Sequence, residues 1–211
     1  MDKTCLIVPF YLGERRNVPN KYNEDRLVYL KEQIEFLEKI NHHLSKVVFI
    51  FNLEPEHENI LRGYMDKIPK KIQNADVEIV LRENKGFSYA ACTEYIIQNI
   101  DEYDYFLFTE DDCFFTANDF DKHLIELFNK YDNCGFLGAI VREPAPWNNF
   151  KKHAGHGTGM MSRGSVKKVW DTFVELSKSD ITDYKTGEAM QITFSHCFVE
   201  EGMEIYDVRS K

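Results

Sequence analysis

The sequence lacks a long hydrophobic run, a block of basic residues and any secretory leader. No apolar stretch approaches the ~20 residues of a membrane-spanning helix, so we predict no membrane span. The net charge is -9 and lysines and arginines are not clustered, which argues against nucleic acid as a partner. The N-terminus enters an apolar segment without a signal-type hydrophobic region or cleavage site. Together these absences predict a cytoplasmic protein.

Paired-cysteine motifs are also missing. The five cysteines are scattered and odd in number, and none forms a C-x-x-C pair or lies at zinc-site spacing from a histidine. This pattern predicts reduced thiols rather than a disulfide framework or a structural zinc site. The 211 residues, 43% hydrophobic and 29% charged, suit one globular domain with a sizeable core.

Apolar segments with strand character alternate with segments of helical periodicity along most of the chain. This alternation predicts an α/β fold with a mostly parallel central sheet flanked by helices. The predicted strands are 4–11, 46–52, 76–82, 105–109, 135–141, 158–162 and 203–208. The predicted helices are 23–40, 55–67, 88–100 with Ser88 as its cap, 119–131, 165–177 and 188–201, and the segment 142–159 is predicted to be largely an irregular loop.

The most informative segment is an apolar strand that ends in three consecutive acids, Glu110, Asp111 and Asp112. A buried strand cannot hold three unpaired carboxylates, so the strand must end there. The acids then project from the C-terminal edge of the sheet, where open α/β folds bind ligands. Clustered carboxylates suit a hard divalent cation held jointly with a phosphate. Taken alone, the triplet is equally compatible with a solvated turn before a helix.

Four further segments accompany this triplet in a fixed order. They are LIVPFY at 6–11, NKGFSYA at 84–90, GHGTG at 155–159, and GEA at 187–189 opening a helix that ends in EG at 201–202. With EDD at 110–112 as a variant D-x-D motif, this order resembles the GT-A class of nucleotide-sugar glycosyltransferases over nearly the whole chain. The resemblance implies one GT-A domain over residues 1–211. Length and ending also resemble the N-terminal domain of a multidomain glycosyltransferase of chlorella-infecting viruses, so we expect excision from a longer polypeptide and a location in host cytoplasm.

The resemblance implies a metal-dependent transfer of sugar from a nucleotide-diphosphate donor, a UDP-sugar, to a glycan or glycoconjugate acceptor. The expected cofactor is Mn²⁺ or Mg²⁺, with Asp112 as a direct ligand and Glu110 facing the metal or the ribose. If the acidic segment is extended, side-chain alternation places Asp111 on the opposite side, toward the sugar. A turn or helix cap is the structural alternative for Asp111.

The resemblance also implies that the nucleotide binds at the ends of the first strands. Tyr11 is expected to stack on or hydrogen-bond the base, and Arg82 or Lys85 to reach phosphate. The glycine-rich loop supplies backbone amides and a histidine suited to a diphosphate. The expected nucleotide-sugar-binding residues are therefore Pro9, Tyr11, Asn52, Arg82, Lys85, Glu110, Asp111, His156 and Gly157.

Two acids are expected to be catalytic, Glu188 and Asp111. Glu188 lies at a predicted helix N-terminus, where the helix dipole favours an ionised carboxylate that could activate the acceptor hydroxyl. Ala189 stands where inverting members of the family have their general base, so inversion and retention both stay open. No residue after Val208 supplies the family's C-terminal metal-binding histidine.

Two alternatives of other classes stay open. A catalytically inactive nucleotide- or sugar-binding module is compatible with Ala189 and with the missing histidine. A sugar-phosphate nucleotidylyltransferase also binds nucleotide on a parallel sheet, but it needs a glycine-rich basic loop after the first strand. The segment LGERR at 12–16 matches such a loop poorly.

Overall fold

A computed structural model describes residues 2–13, 25–144, 151–155, 158–181 and 184–209, excepting the side chains of 184–188. The strands in this part are β1 (Thr4–Tyr11), β2 (Lys46–Leu53), β3 (Lys71–Ile72), β4 (Ala75–Glu83), β5 (Tyr105–Phe108), β6 (Cys134–Gly138), β7 (Val141–Arg142), β8 (His153–Ala154), β9 (Gly159–Ser162) and β10 (Glu204–Asp207). The α-helices are α1 (Val28–Lys39), α2 (Glu58–Arg62), α3 (Phe87–Gln98), α4 (Phe120–Lys130), α5 (Arg163–Lys168), α6 (Trp170–Ser177) and α7 (Tyr184–Glu200).

Eight strands form one twisted sheet in the order β10-β6-β9-β5-β1-β2-β4-β3. The pairs β1–β2, β1–β5, β2–β4 and β6–β10 are parallel, whereas β9 and β3 run antiparallel to their neighbours. A separate two-stranded ribbon joins β7 to β8. The mostly parallel sheet predicted from the sequence is confirmed.

Helices cover both faces of the sheet because its strands are apolar on both sides, as parallel strands usually are. In β1, Ile7 and Leu6 point to opposite faces and are both fully buried. On one face the core includes side chains of α3, α6 and α7, and on the other it includes side chains of α1, α2 and α4. Phe194 of α7 is fully buried and contacts the rings of Tyr89, Phe108, Phe136 and Phe173.

Several predicted helices differ from the structure. The predicted helix at 55–67 is instead two 3₁₀ turns, Pro55–His57 and Met65–Lys67, flanking the short α2. The predicted helix at 165–177 breaks at Val169 into α5 and α6. Ser88 lies inside α3, whose N-cap is Gly86. Within the described residues, no helix is both long and apolar enough to cross a bilayer.

Parallel strands β1, β2, β4 and β5 all end at the same edge of the sheet. The register aligns Tyr11 with Asn52, and Asn52 with Arg82, across β1, β2 and β4. Phe108 of β5 is aligned with Ile7, so the acidic triplet follows β5 at the same edge. The topology therefore brings residues about a hundred positions apart to one place.

Candidate functional site

A cavity of about 460 Å³ opens at the C-terminal edge of these strands. It contains six residues expected from the sequence: Pro9, Tyr11, Asn52, Glu110, Asp111 and Asp112. Sequence reasoning missed five others that line it: Phe10, Glu54, Asn84, Phe87 and Ser88. The acidic triplet and the ends of the first two strands thus form one site.

The acidic triplet lies in a tight turn. The backbone N–H of Cys113 donates to the carbonyl of Glu110 at 3.0 Å, which closes the turn around Asp111 and Asp112. The extended geometry assumed from the sequence is therefore wrong, and simple alternation does not decide where the three side chains point. Asp111 is buried, at 4% exposure, and its Oδ2 accepts from the backbone N–H of Tyr11 at 3.4 Å. Asp112 is exposed.

A buried glutamine of helix α1 contacts the back of this turn. The side-chain nitrogen of Gln33 donates to the carbonyl oxygens of Cys113, Asp111 and Glu110 at 2.8, 3.2 and 3.4 Å. The hydroxyl of Thr109 also donates to the Cys113 carbonyl, at 3.1 Å. The turn is therefore attached to the body of the protein through its backbone carbonyls.

Glu54 joins the ends of three strands. Its Oε1 accepts from the hydroxyl of Tyr11 and from the side-chain amide of Asn84, each at 3.2 Å. Glu54, Glu56 and His57 also place possible metal-ligand atoms within 4.8 Å of one another. However, Glu54 and His57 form a reciprocal capping box for the 3₁₀ turn, which explains their proximity without a metal. The signal that would have found Glu54 is its position directly after β2.

Arg82 and Lys85 do not line the cavity. The guanidinium of Arg82 donates to Asn52 Oδ1 at 2.7 Å, to the Lys85 carbonyl at 2.9 Å and to Glu94 Oε2 at 3.0 Å. The ammonium group of Lys85 pairs with Glu83 at 2.8 Å. Contact of either side chain with phosphate stays a prediction without support from this geometry. Arg82 instead fixes the orientation of the Asn52 amide.

The start of helix α3 forms another wall of the cavity. Gly86 has a φ of +66°, and its N–H donates to the carbonyl of Ile181 at 2.8 Å. A Cβ at this position would lie 2.4 Å from Ala90 Cβ and 2.8 Å from the Ser179 carbonyl, so the turn requires glycine. Phe87 also has a positive φ, +54°, which is uncommon for an aromatic residue. The helix thereby directs its partly positive N-terminus toward the cavity wall at Phe87 and Ser88.

Some expected site residues lie outside the described part of the chain. These are His156, Gly157 and the side chain of Glu188. Helix α7 begins at Tyr184, so Glu188 lies in its second turn and the expectation of an N-terminal position is wrong. His153, which precedes the glycine-rich loop, is buried in β8, where its Nδ1 lies 2.6 Å from the Lys151 carbonyl.

Four carboxylates line the cavity, those of Glu54, Glu110, Asp111 and Asp112. Among the described lining residues there is no lysine or arginine. Burial is the main cause that raises the pKa of the neighbouring Cys113 thiol to about 12, and the negative charges of Asp112 and Glu110 add to this shift. An oxygen-rich, acidic donor set of this kind fits a hard divalent cation such as Mg²⁺ or Mn²⁺.

The fold is similar to several solved nucleotide-handling enzymes. TarS of S. aureus matches 97% of this chain at 12% identity with a TM-score of 0.54, and a TarS fragment in complex with UDP matches at 0.52. CMP:2-keto-3-deoxy-manno-octonic acid synthetase complexed with CTP matches 97% of this chain and 88% of its own, at 12% identity and a TM-score of 0.54. A cytidylyltransferase from Leptospira borgpetersenii matches 98% of this chain and 76% of its own, at 11% identity and 0.55.

These likenesses define a GT-A-like fold of the nucleotide-diphospho-sugar transferase type, which confirms the predicted fold class. The chain spans only 35% of the full TarS chain. No model of a known protein family matches the sequence, and no curated protein does. The similar structures do not support the viral origin suggested by the narrower resemblance.

Proposed function

We propose that this protein is a divalent-metal-dependent glycosyltransferase that uses a UDP-sugar donor and a glycan or glycoconjugate acceptor. The observation that carries the proposal is the acidic turn at residues 110–112, which shares one cavity with the ends of β1 and β2. In a fold of this type, such a cavity suits a nucleotide diphosphate whose charge is compensated by a cation.

The cavity wall at β2 suits the edge of a nucleotide base. Because Asn52 Oδ1 accepts from Arg82, its Nδ2 is left as the group that can donate to a ligand. Glu54, two residues further on and lining the same cavity, offers carboxylate lone pairs. A pyrimidine edge carries a hydrogen-bond donor beside an acceptor, and this pair of side chains complements that arrangement. The aromatic ring of Tyr11 adds a surface for stacking.

The charge of the cavity argues for a cation in the donor complex. A diphosphate carries negative charge and would be repelled by Glu110, Asp111 and Asp112 alone. A divalent cation held by Asp112 and Glu110 would supply Lewis-acid stabilisation of the leaving diphosphate. The N-terminus of α3 adds a partly positive group at Phe87 and Ser88 for an anionic oxygen.

The sugar and the acceptor belong on the open side of the acidic turn. Asp111 is held rigidly by burial and by the Tyr11 N–H, which suits positioning of a sugar hydroxyl. Glu188 remains the proposed general base for the acceptor hydroxyl, now from the second turn of α7 rather than its first. Ala189 follows it, so we propose no stereochemical outcome.

A nucleotidylyltransferase is the second candidate, because a synthetase complexed with CTP and a cytidylyltransferase match this fold as well as TarS does. The two activities leave different products. A glycosyltransferase releases UDP from a UDP-sugar, whereas a nucleotidylyltransferase releases pyrophosphate from a nucleoside triphosphate and a sugar phosphate. Separate assays for these two products therefore distinguish the candidates.

The test is incubation of the purified protein with a panel of UDP-sugars and Mn²⁺, followed by measurement of UDP release with and without glycan acceptors. We expect release from at least one donor, abolished by EDTA and by Asp112→Asn. Release of pyrophosphate from CTP or UTP with a sugar phosphate would instead establish the second candidate. Donor binding without either product would identify an inactive binding module.

A further inference from the structure

We propose that Gln33 is a positioning residue of the donor site, whose carboxamide holds the acidic turn in its metal-binding shape. This inference rests on the proposed function, because it concerns how Glu110 and Asp112 reach a cation. Gln33 lies in helix α1, outside the cavity lining, and is 1% exposed. Any effect of this side chain on a bound nucleotide must therefore pass through the turn.

The geometry around the Gln33 nitrogen is specific. Three carbonyl oxygens, those of Glu110, Asp111 and Cys113, converge on one buried NH₂ group within 3.4 Å. Converging carbonyl dipoles repel one another unless donors lie between them, and Gln33 acts here together with the Cys113 N–H and the Thr109 hydroxyl, which donate to the carbonyls of Glu110 and Cys113. Gln33 therefore selects a backbone shape in which these carbonyls point toward α1.

This backbone shape has a consequence for the carboxylates. With the carbonyls directed inward, the acidic side chains of the turn are left to line the opposite, cavity side. Three consecutive acids repel one another, and the hydrogen bonds of Gln33 help to hold the turn against this repulsion. A glutamine supplies hydrogen-bond donors but no positive charge, so it does not itself neutralise the carboxylates of the acidic turn.

A second glutamine, Gln73, provides a control, although it differs from Gln33 in being exposed and in having a φ of +53°. Gln73 also donates from its side-chain nitrogen to three backbone carbonyls, those of Leu37, Glu38 and Ile40, at the other end of α1. Gln73 does not line the cavity, and none of these three hydrogen bonds is to a residue of the acidic turn. Replacing Gln33 by methionine removes hydrogen bonds from α1 to the acidic turn, whereas replacing Gln73 removes hydrogen bonds from the β3–β4 turn to the C-terminal end of α1.

The measurement is the affinity of UDP with and without Mn²⁺ by calorimetry, for the wild type, Gln33→Met and Gln73→Met. Circular dichroism first establishes a temperature at which all three are folded. The relevant quantity is the dissociation constant of UDP without Mn²⁺ divided by that with Mn²⁺. This ratio reports how much the metal strengthens UDP binding. We expect Gln33→Met to lower this ratio by about tenfold or more, as loss of an outer-shell partner does in metal sites. We expect Gln73→Met to leave it unchanged.

An unchanged ratio in folded Gln33→Met would overturn the positioning role and leave the proposed function intact. Absence of UDP binding by the wild type, with or without Mn²⁺, would overturn the proposed function and this inference with it. If Gln33→Met does not fold, Gln33→Asn takes its place, since it keeps the donor but withdraws it by one methylene. For Gln33→Asn, we expect a ratio between that of the wild type and the value of one that would mean no metal effect. A ratio equal to that of the wild type would refute the positioning role of Gln33.

Discussion

Replacing Gly86 by alanine tests whether the turn into helix α3 is built as described. The left-handed φ of +66° costs an alanine about 1–2 kcal/mol. The added Cβ would also lie 2.4 Å from Ala90 Cβ and 2.8 Å from the Ser179 carbonyl, which adds about 1–3 kcal/mol of overpacking. We therefore expect Gly86→Ala to lower the free energy of unfolding by about 2–5 kcal/mol.

Two other glycines separate these contributions. Gly202 has a φ of +72° and open space around it, so Gly202→Ala should cost only the conformational part, about 1–2 kcal/mol. Gly164 lies in α5 with Ser162 Oγ at 3.8 Å, and Gly164→Ala should be neutral or stabilise by up to about 1 kcal/mol. Urea unfolding of the three variants measures the differences. If Gly86→Ala costs no more than Gly202→Ala, the crowded packing described at Gly86 is refuted.

Three further predictions concern the core, pH and the cavity. Phe194→Ala should lower the free energy of unfolding by about 3–5 kcal/mol in urea titrations, because this fully buried ring packs against four others; a loss below about 1 kcal/mol would contradict that packing. Burial lowers the pKa of His42, so the unfolded chain binds a proton at this residue more readily than the folded protein does. The free energy of unfolding should therefore fall as the pH drops below about 6.5. His42→Gln should flatten this part of a plot of stability against pH, and an unaltered slope would exclude His42 as the cause. Arg82→Met frees the Asn52 amide to rotate and should weaken UDP binding about tenfold in calorimetry, as expected for loss of a charged hydrogen bond; undiminished affinity would remove Asn52 from the donor site.

Strand positions were predictable because the buried strands are short apolar runs bounded by polar residues. Strands β1, β2 and β4 lie within one residue of their predicted limits at either end. Helix limits were less predictable, because the periodicity of apolar side chains can continue across a position where the helical backbone is interrupted. The break at Val169 depends on its backbone angles, and the 3₁₀ turn at Pro55 is closed by the capping box of Glu54 and His57; the periodic pattern contains neither.

Site residues were predictable where a polar or acidic side chain lies at the C-terminal end of a predicted strand. Asp112 and Asn52 were found because polar residues at the C-terminal ends of parallel strands meet at one edge. Arg82 was assigned to phosphate from its charge, whereas its partners Asn52 and Glu94 depend on strand register and on the placement of α3. His42, which follows helix α1, is buried, and burial lowers its pKa, which favours the neutral ring.

The central claim is a nucleotide-diphosphate site that depends on a divalent cation and on Asp112. Calorimetric titration of UDP into the wild type and into Asp112→Asn, each with and without Mn²⁺, tests it most directly. We expect Mn²⁺ to strengthen UDP binding to the wild type, and we expect this gain to be lost in the folded variant. The absence of UDP binding by the folded wild type under both conditions, or a full manganese effect in Asp112→Asn, would contradict it.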